Sequence, residues 1–215
     1  MAVVLFGGEK GGSGKTTLAV GYAAMLAGEG RDVLLVDADR QGSASLWHKI
    51  RRTEKITPEI TCVSIYGATI AEELTTLKAK YDDIVVDTPG HDAEEMRASM
   101  VAADVVVTPA QTSQFDIFTF AKMDNHVKNA RIWNKTLRAL VVINRAPTNA
   151  RSTDVAEMRE ALQDLTQYRL LDGFISERKI FRLTARDGRA VTEYNGSTDP
   201  KAVAEMRALA LEIAQ

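Results

Sequence analysis

The chain has 215 residues, 45% of them hydrophobic and 26% charged, enough for one well-cored domain and short for two. Its net charge of −2 offers no general attraction to nucleic acid, so DNA binding would need a local basic patch. The lone cysteine, Cys62, excludes an intrachain disulfide and a two-cysteine metal cluster within one chain.

The N-terminal residues enter an apolar run, Ala2 to Phe6, that reads as a buried strand, with no signal-peptide pattern and no apolar run long enough to span a membrane. Gly8-Glu9-Lys10-Gly11-Gly12-Ser13-Gly14-Lys15-Thr16-Thr17 follows, then an apolar helix from Leu18 to Leu26. Strand, glycine-rich loop and helix in that order are the context of a phosphate-binding loop. Backbone N–H groups of Gly11, Gly12, Ser13, Gly14, Lys15, Thr16 and Thr17 would cradle phosphate at a helix N-terminus. Lys15 would reach the β- and γ-phosphates and the Thr16 hydroxyl would ligate Mg²⁺. The strict pattern wants glycine at position 9, where this chain has Glu9 followed by a second lysine, Lys10.

Val33 to Val36 is a second buried strand, ending in Asp37-Ala38-Asp39-Arg40-Gln41-Gly42, where two acids at a strand's carboxyl end are placed for chemistry. A helix is expected from Ser43 to about Thr53, a break at Pro58, and a short strand from Thr61 to Ile65 in which Cys62 reads as a buried structural thiol. Helical spacing runs from Ala68 to Tyr81. The strand Asp83 to Asp87, leading into Thr88-Pro89-Gly90, has the form of a Walker B element, with Asp87 holding Mg²⁺ through water. Ala103 to Pro109 is another strand, and a long helix then reaches Trp133. On that helix Phe115, Phe118 and Phe120 read as core or dimer packing and His126 as a surface histidine. Leu137 to Arg145 is a strand ending in Asn144-Arg145. A helix from Ser152 to Leu165, a strand from Leu170 to Ile175 and a terminal helix entered through Asp199-Pro200 complete the chain. Between the last two lies a basic stripe, Arg178, Lys179, Arg182, Arg186 and Arg189, with Glu177 and Asp187 as its only nearby acids. Alternating strands and helices predict a single-domain α/β fold over residues 1–215: a mostly parallel, twisted sheet with helices on both faces.

Lys10 to Thr17, Asp37 to Gly42 and Asp83 to Pro89 together resemble the deviant Walker A ATPases of the ParA/MinD superfamily, most closely its small ParA-type, ParF-like branch. Pro109 to Asp116 matches more loosely. Arg40 stands where the family usually has proline. The resemblance implies a P-loop NTPase fold, ATP and Mg²⁺, an ATP-dependent nucleotide-sandwich homodimer, and slow hydrolysis stimulated by a ParB-like or ParG-like partner. It assigns Lys10 to the partner's ATP, Lys15 and Asp39 to catalysis with Asp39 orienting water, Asp37 to the Mg²⁺ side and Asn144 to adenine. It also implies nonspecific DNA binding, here through the basic stripe, in a cytoplasmic, nucleoid-associated protein that segregates a plasmid, a chromosome region or a protein assembly. A MinD-like membrane-cycling ATPase would need a basic amphipathic tail, and residues 200–215 read instead as a packed helix. A metabolic ligase or an iron–sulfur reductase would keep the same loop. The single cysteine argues against the reductase.

Overall fold

The computed structural model describes residues 2–112, 114–149, 151–194 and 199–215, and of residues 114–119 the backbone alone. Seven strands form one sheet: β1 (Ala2–Phe6), β2 (Val33–Asp37), β3 (Thr61–Ser64), β4 (Asp83–Asp87), β5 (Val105–Gln111), β6 (Arg138–Ala146) and β7 (Arg169–Ser176). Their spatial order is β3-β2-β4-β1-β5-β6-β7, and each neighbouring pair runs parallel, so the sheet is wholly rather than mostly parallel.

Eight helices are described: α1 (Lys15–Gly28), α2 (Ser43–Thr53), α3 (Ile70–Leu77), α4 (Glu94–Ala102), α5 (Gln114–Trp133), α6 (Asp154–Ala161), α7 (Lys179–Arg186) and α8 (Pro200–Ala214). The strands alternate their side chains between two apolar layers. Val4, Phe6, Leu35, Val85, Val107 and Val142 meet α1, α2, α7 and α8. Val3, Leu5, Leu34, Val36, Ile84 and Val86 meet α3, α4 and α5. A smaller cluster joins Val141 and Ile143 to Phe120, Met158 and Leu162. Helices on both faces explain why the central strands are continuous apolar runs.

Several boundaries differ from the sequence reading. The spacing from Ala68 to Tyr81 yields only α3, because residues 78–80 form a turn. The sequence reading has no helix over 94–102, where Met96 and Met100 are the only large side chains of α4 that reach the core. Phe120 is buried as core, whereas Ser113 and the side chains of Phe115, Asp116 and Phe118 lie outside the described residues. Asp199 caps α8 by accepting from the N–H groups of Lys201 and Ala202, with Pro200 in the first turn. The strand order puts β1 between β4 and β5 and so gathers the ends of β1, β2, β4, β5 and β6 along one rim, where ligands bind in such sheets.

Candidate functional site

The loop between β1 and α1 is shaped from in front by glycine and from behind by two amides. Gly14 precedes α1 with φ +97°, and a Cβ there would lie 2.3 Å from Asn144 Nδ2, so both conformation and space demand glycine. Asn144 Nδ2 donates to Ser13 O at 2.6 Å, and Gln111 Nε2 donates to Gly12 O at 2.9 Å. Gln111 and Asn144 are paired across β5 and β6. Each amide holds one loop carbonyl back towards the sheet, which turns the neighbouring N–H groups towards the open side. There they join the first N–H groups of α1, which have no partner within the helix. The Ser13 hydroxyl is buried without a partner. The loop after β4 closes over this one: a Cβ on Gly90 would fall 2.7 Å from Gly11 Cα.

Lys15 is buried at the start of α1, and its Nζ donates to Lys10 O at 2.9 Å. Burial holds its ammonium below the ordinary lysine range, while Asp87 and Asp39 act in the opposite sense. Asp37 and Asp87 are cross-strand neighbours of β2 and β4, and both are fully buried. They differ in what they hold. Asp37 Oδ1 accepts from Asp39 N at 3.2 Å and Oδ2 from Ser45 N at 2.7 Å. Neither Asp87 oxygen accepts a hydrogen bond of ordinary geometry. Burial lifts the Asp87 carboxyl to about 7; the Thr16 hydroxyl and Lys15 pull it back, and Asp37 and Asp39 push it further up. A buried carboxylate with two unused oxygens, beside a threonine hydroxyl and a lysine, fits a hydrated divalent cation carried on a phosphate.

Asp39 is half-buried at the cleft rim, where its Oδ1 accepts from Gln41 N at 2.9 Å. The cleft itself measures about 740 Å³ and is bordered by the phosphate loop, the segment 39–43, the segment 88–91 and Arg145. Arg145 has φ +55°, and its guanidinium lies 3.4 Å from Glu177. Arg40 stacks over the Tyr66 ring at 4.9 Å.

The structure brings Lys15, Thr16 and Asp39 to the cleft lining, with Asp87 buried close to Lys15 and Lys10 tied to it through the Lys15 ammonium, and it adds local partners to three other residues. Asp37, expected on the Mg²⁺ side, accepts one backbone N–H on each oxygen and so anchors the segment that carries Asp39. Asn144, expected at adenine, gives its amide to the phosphate loop. His126, expected at the surface, has a side chain only 17% exposed and lies 2.8 Å from Glu9. Cys62 is partly buried, and burial pushes its thiol up to about 12, as suits a structural thiol.

The basic stripe is split. Arg178 pairs with Glu205 at 2.8 Å and Asp199 at 3.2 Å, acids from α8 and its cap that are distant in sequence, and so it leaves the stripe. Arg189 is half-buried. Lys179, Arg182 and Arg186 stay exposed on α7, whose other face buries Ile180, Phe181 and Thr184. Arg186 pairs with its neighbour Asp187 at 2.8 Å. The sequence reading missed two contacts to the phosphate loop, that of Gln111 with Gly12 O and that of His126 with Glu9.

Residues 4–191 match the model of the CobQ/CobB/MinD/ParA nucleotide binding domain. The chain is 32% identical to maintenance of carboxysome distribution protein A of Gloeobacter kilaueensis, over 95% of this chain and 90% of that protein. It is 28% identical to protein virC1 of Rhizobium rhizogenes, over 86% and 84%. Among solved structures, a McdA variant from Cyanothece in complex with ATP superposes with TM-score 0.78 at 18% identity, covering 100% of this chain and 98% of that one. MinD of Pyrococcus horikoshii, complexed with Mg-ADP, superposes with TM-score 0.74 at 20% identity, covering 100% and 96%. A cleft built from a two-lysine phosphate loop, an unfilled buried aspartate and a parallel sheet thus agrees with the sequence match, and the chain belongs to the CobQ/CobB/MinD/ParA nucleotide-binding family, among its ParA/MinD-type ATPases.

Proposed function

We propose that the protein is an Mg²⁺-dependent ATPase that dimerises on ATP and partitions or positions a cargo on DNA. The observation that carries this reading is Asp87, buried beside Lys15 and Thr16 with neither oxygen accepting a hydrogen bond of ordinary geometry. Bound ATP supplies the phosphoryl group, and Mg²⁺ supplies neutralising charge on its oxygens. The loop N–H groups from Gly11 to Thr17 hold the phosphates, Lys15 orients the terminal ones, and Thr16 and Asp87 hold the metal, Asp87 through water. Asp37 keeps the 39–45 segment in place so that Asp39 orients the attacking water. Lys10, carried across the dimer interface, adds positive charge where negative charge develops. Asn144 supports the loop that binds phosphate.

DNA is held without sequence preference by Lys179, Arg182 and Arg186, doubled in the dimer. A ParB-like or ParG-like protein accelerates the slow turnover, and the protein works in the cytoplasm on the nucleoid. The cargo is a plasmid, a chromosome region or a protein assembly; the similarity to a carboxysome distribution protein over nearly the whole chain supports the last of these. No helix among the described residues is long and apolar enough to cross a membrane. The apolar face of α8 is occupied, with Ala202, Met206, Leu209 and Ile213 buried, which supports DNA over a membrane surface.

Calorimetry tests the core of the reading: Lys15→Ala should abolish ATP binding, and Asp39→Ala should bind ATP, retain the dimer and release no phosphate. Undiminished ATP binding by the first variant, or normal phosphate release by the second, would overturn the corresponding assignment.

A further inference from the structure

His126 on α5 stands where three segments meet. Its Nε2 lies 2.8 Å from Oε1 of Glu9, in the phosphate loop, and 3.7 Å from Oδ1 of Asp92, in the segment after β4. The Glu9 side chain is only 9% exposed. Two cationic side chains face the same carboxylates: Lys122, one turn earlier on α5, lies 3.9 Å from Glu9 Oε2, and Arg97 pairs with Asp92. The imidazole and two carboxylates have ligand atoms within 4.8 Å of one another, the composition of a cation site. With Lys122 and Arg97 already balancing the acids, the arrangement is that of an ion-pair network.

The network's position gives it a purpose. Glu9 fills the place where a standard phosphate loop has glycine, immediately before Lys10. The backbone carrying Lys10 is therefore pinned on both sides: the Glu9 carboxylate is tied to α5, and Lys10 O accepts from Lys15 Nζ at 2.9 Å. Gly11 is packed against Gly90 just beyond. A lysine that must act across an interface brings a long, rotamer-rich side chain, and a loop left loose beneath it would add its own ordering cost to association. We propose that Glu9 and His126 are positioning residues for Lys10: together they latch the front of the phosphate loop to α5, so that Lys10 is aimed at a partner's phosphates before the dimer forms. This rests on the reading that Lys10 acts across the interface.

The test compares ATP-dependent dimerisation by light scattering with ATP affinity of the monomer by calorimetry. His126→Ala should weaken the dimer about tenfold while leaving monomer affinity within about twofold. His126→Gln, whose side-chain amide can still donate to Glu9, should restore most of the loss. In a Lys10→Ala background, His126→Ala should add nothing further. If Lys10→Ala weakens dimerisation but His126→Ala dimerises as the wild type does, the latch is refuted and the Lys10 reading stands. An equal effect of His126→Ala with and without Lys10 would also refute it, since the histidine would then act on general structure. Normal dimerisation by Lys10→Ala itself would remove the underlying reading, and the latch with it.

Discussion

Replacing Asp87 with asparagine should stabilise the nucleotide-free protein at mildly alkaline pH. The Asp87 carboxyl titrates at about 7 in the folded chain, chiefly because burial disfavours its charge. In the unfolded chain a carboxyl titrates at about 3.9. The folded state thus holds the proton more tightly, and ionising Asp87 costs folding free energy. The cost is absent below about pH 4, grows as pH rises towards 7 and is constant above that, reaching about 4 kcal/mol at ~1.36 kcal/mol per tenfold difference. Asparagine has the same shape and no charge, but it leaves a buried amide unpaired, which returns about 1–3 kcal/mol. The expected net gain is therefore about 1–3 kcal/mol at pH ~8, shrinking by about 1 kcal/mol at pH ~6, where the wild type is itself partly protonated. Urea unfolding of both proteins at the two pH values, without nucleotide, measures it, and the histidines common to both cancel in the difference. With Mg²⁺ and ATP present the order should reverse, because only the wild type gains a metal partner. An Asp87→Asn protein no more stable than wild type at the higher pH, with an unchanged pH dependence, would refute the account of Asp87 as an unfilled site.

Gln111→Leu removes the donor to Gly12 O, so ATP affinity should fall about tenfold by calorimetry while unfolding stability changes by less than about 1 kcal/mol. Arg51 is almost fully buried, grips Glu193 with two bonds of 2.7 and 2.8 Å, and also donates to Pro58 O and Gly188 O. Arg51→Met should cost about 3 kcal/mol in chemical denaturation, and adding Glu193→Gln should recover part of it, since the stranded carboxylate carries much of the penalty. Arg182→Glu with Arg186→Glu should reduce ATP-dependent retention of unrelated duplexes and lower the slope of log affinity against log salt by about 3.6, because a dimer presents each position twice; an unchanged slope would clear these two arginines of DNA contact.

The sequence made visible whatever is local and strongly patterned. Val33 to Asp37 is buried at every residue, and such runs announce central strands without help from context. Helix α4 offered no comparable contrast, since Ala98, Ala102 and Ser99 soften its pattern and its two acids sit in the first turn. The phosphate loop was legible because its residues are contiguous. Its supports were not: Gln111, His126 and Asn144 are separated from their loop partners by 99, 117 and 131 positions. Only the order β4-β1-β5-β6 brings them against the loop. The pairing of Arg178 was hidden in the same way, because Asp199 and Glu205 approach it from another element.

The contrast between Asp37 and Asp87 was, however, within reach of the sequence. Both end adjacent parallel strands, both are fully buried, and yet only one is satisfied. Part of the difference lies two residues on. Asp37 is followed by Ala38 and Asp39, and Asp39 N donates back to it at 3.2 Å. Asp87 is followed by Thr88 and Pro89, and proline has no N–H to give. The proline thus withholds from Asp87 the local donor that Asp37 has at the matching position. Pro89→Ala restores that donor. The Asp87 carboxyl should then titrate below about 7, the nucleotide-free protein should lose part of the pH dependence described above, and Mg²⁺–ATP should bind more weakly, because the metal must displace a bond already made. Loss of proline also loosens the unfolded chain by about 0.4–1 kcal/mol, a pH-independent offset, so the slope rather than the absolute stability is the quantity to read. If the slope between about pH 6 and pH 8 equals that of the wild type, and Mg²⁺–ATP affinity is unchanged, Pro89 has no part in keeping Asp87 open.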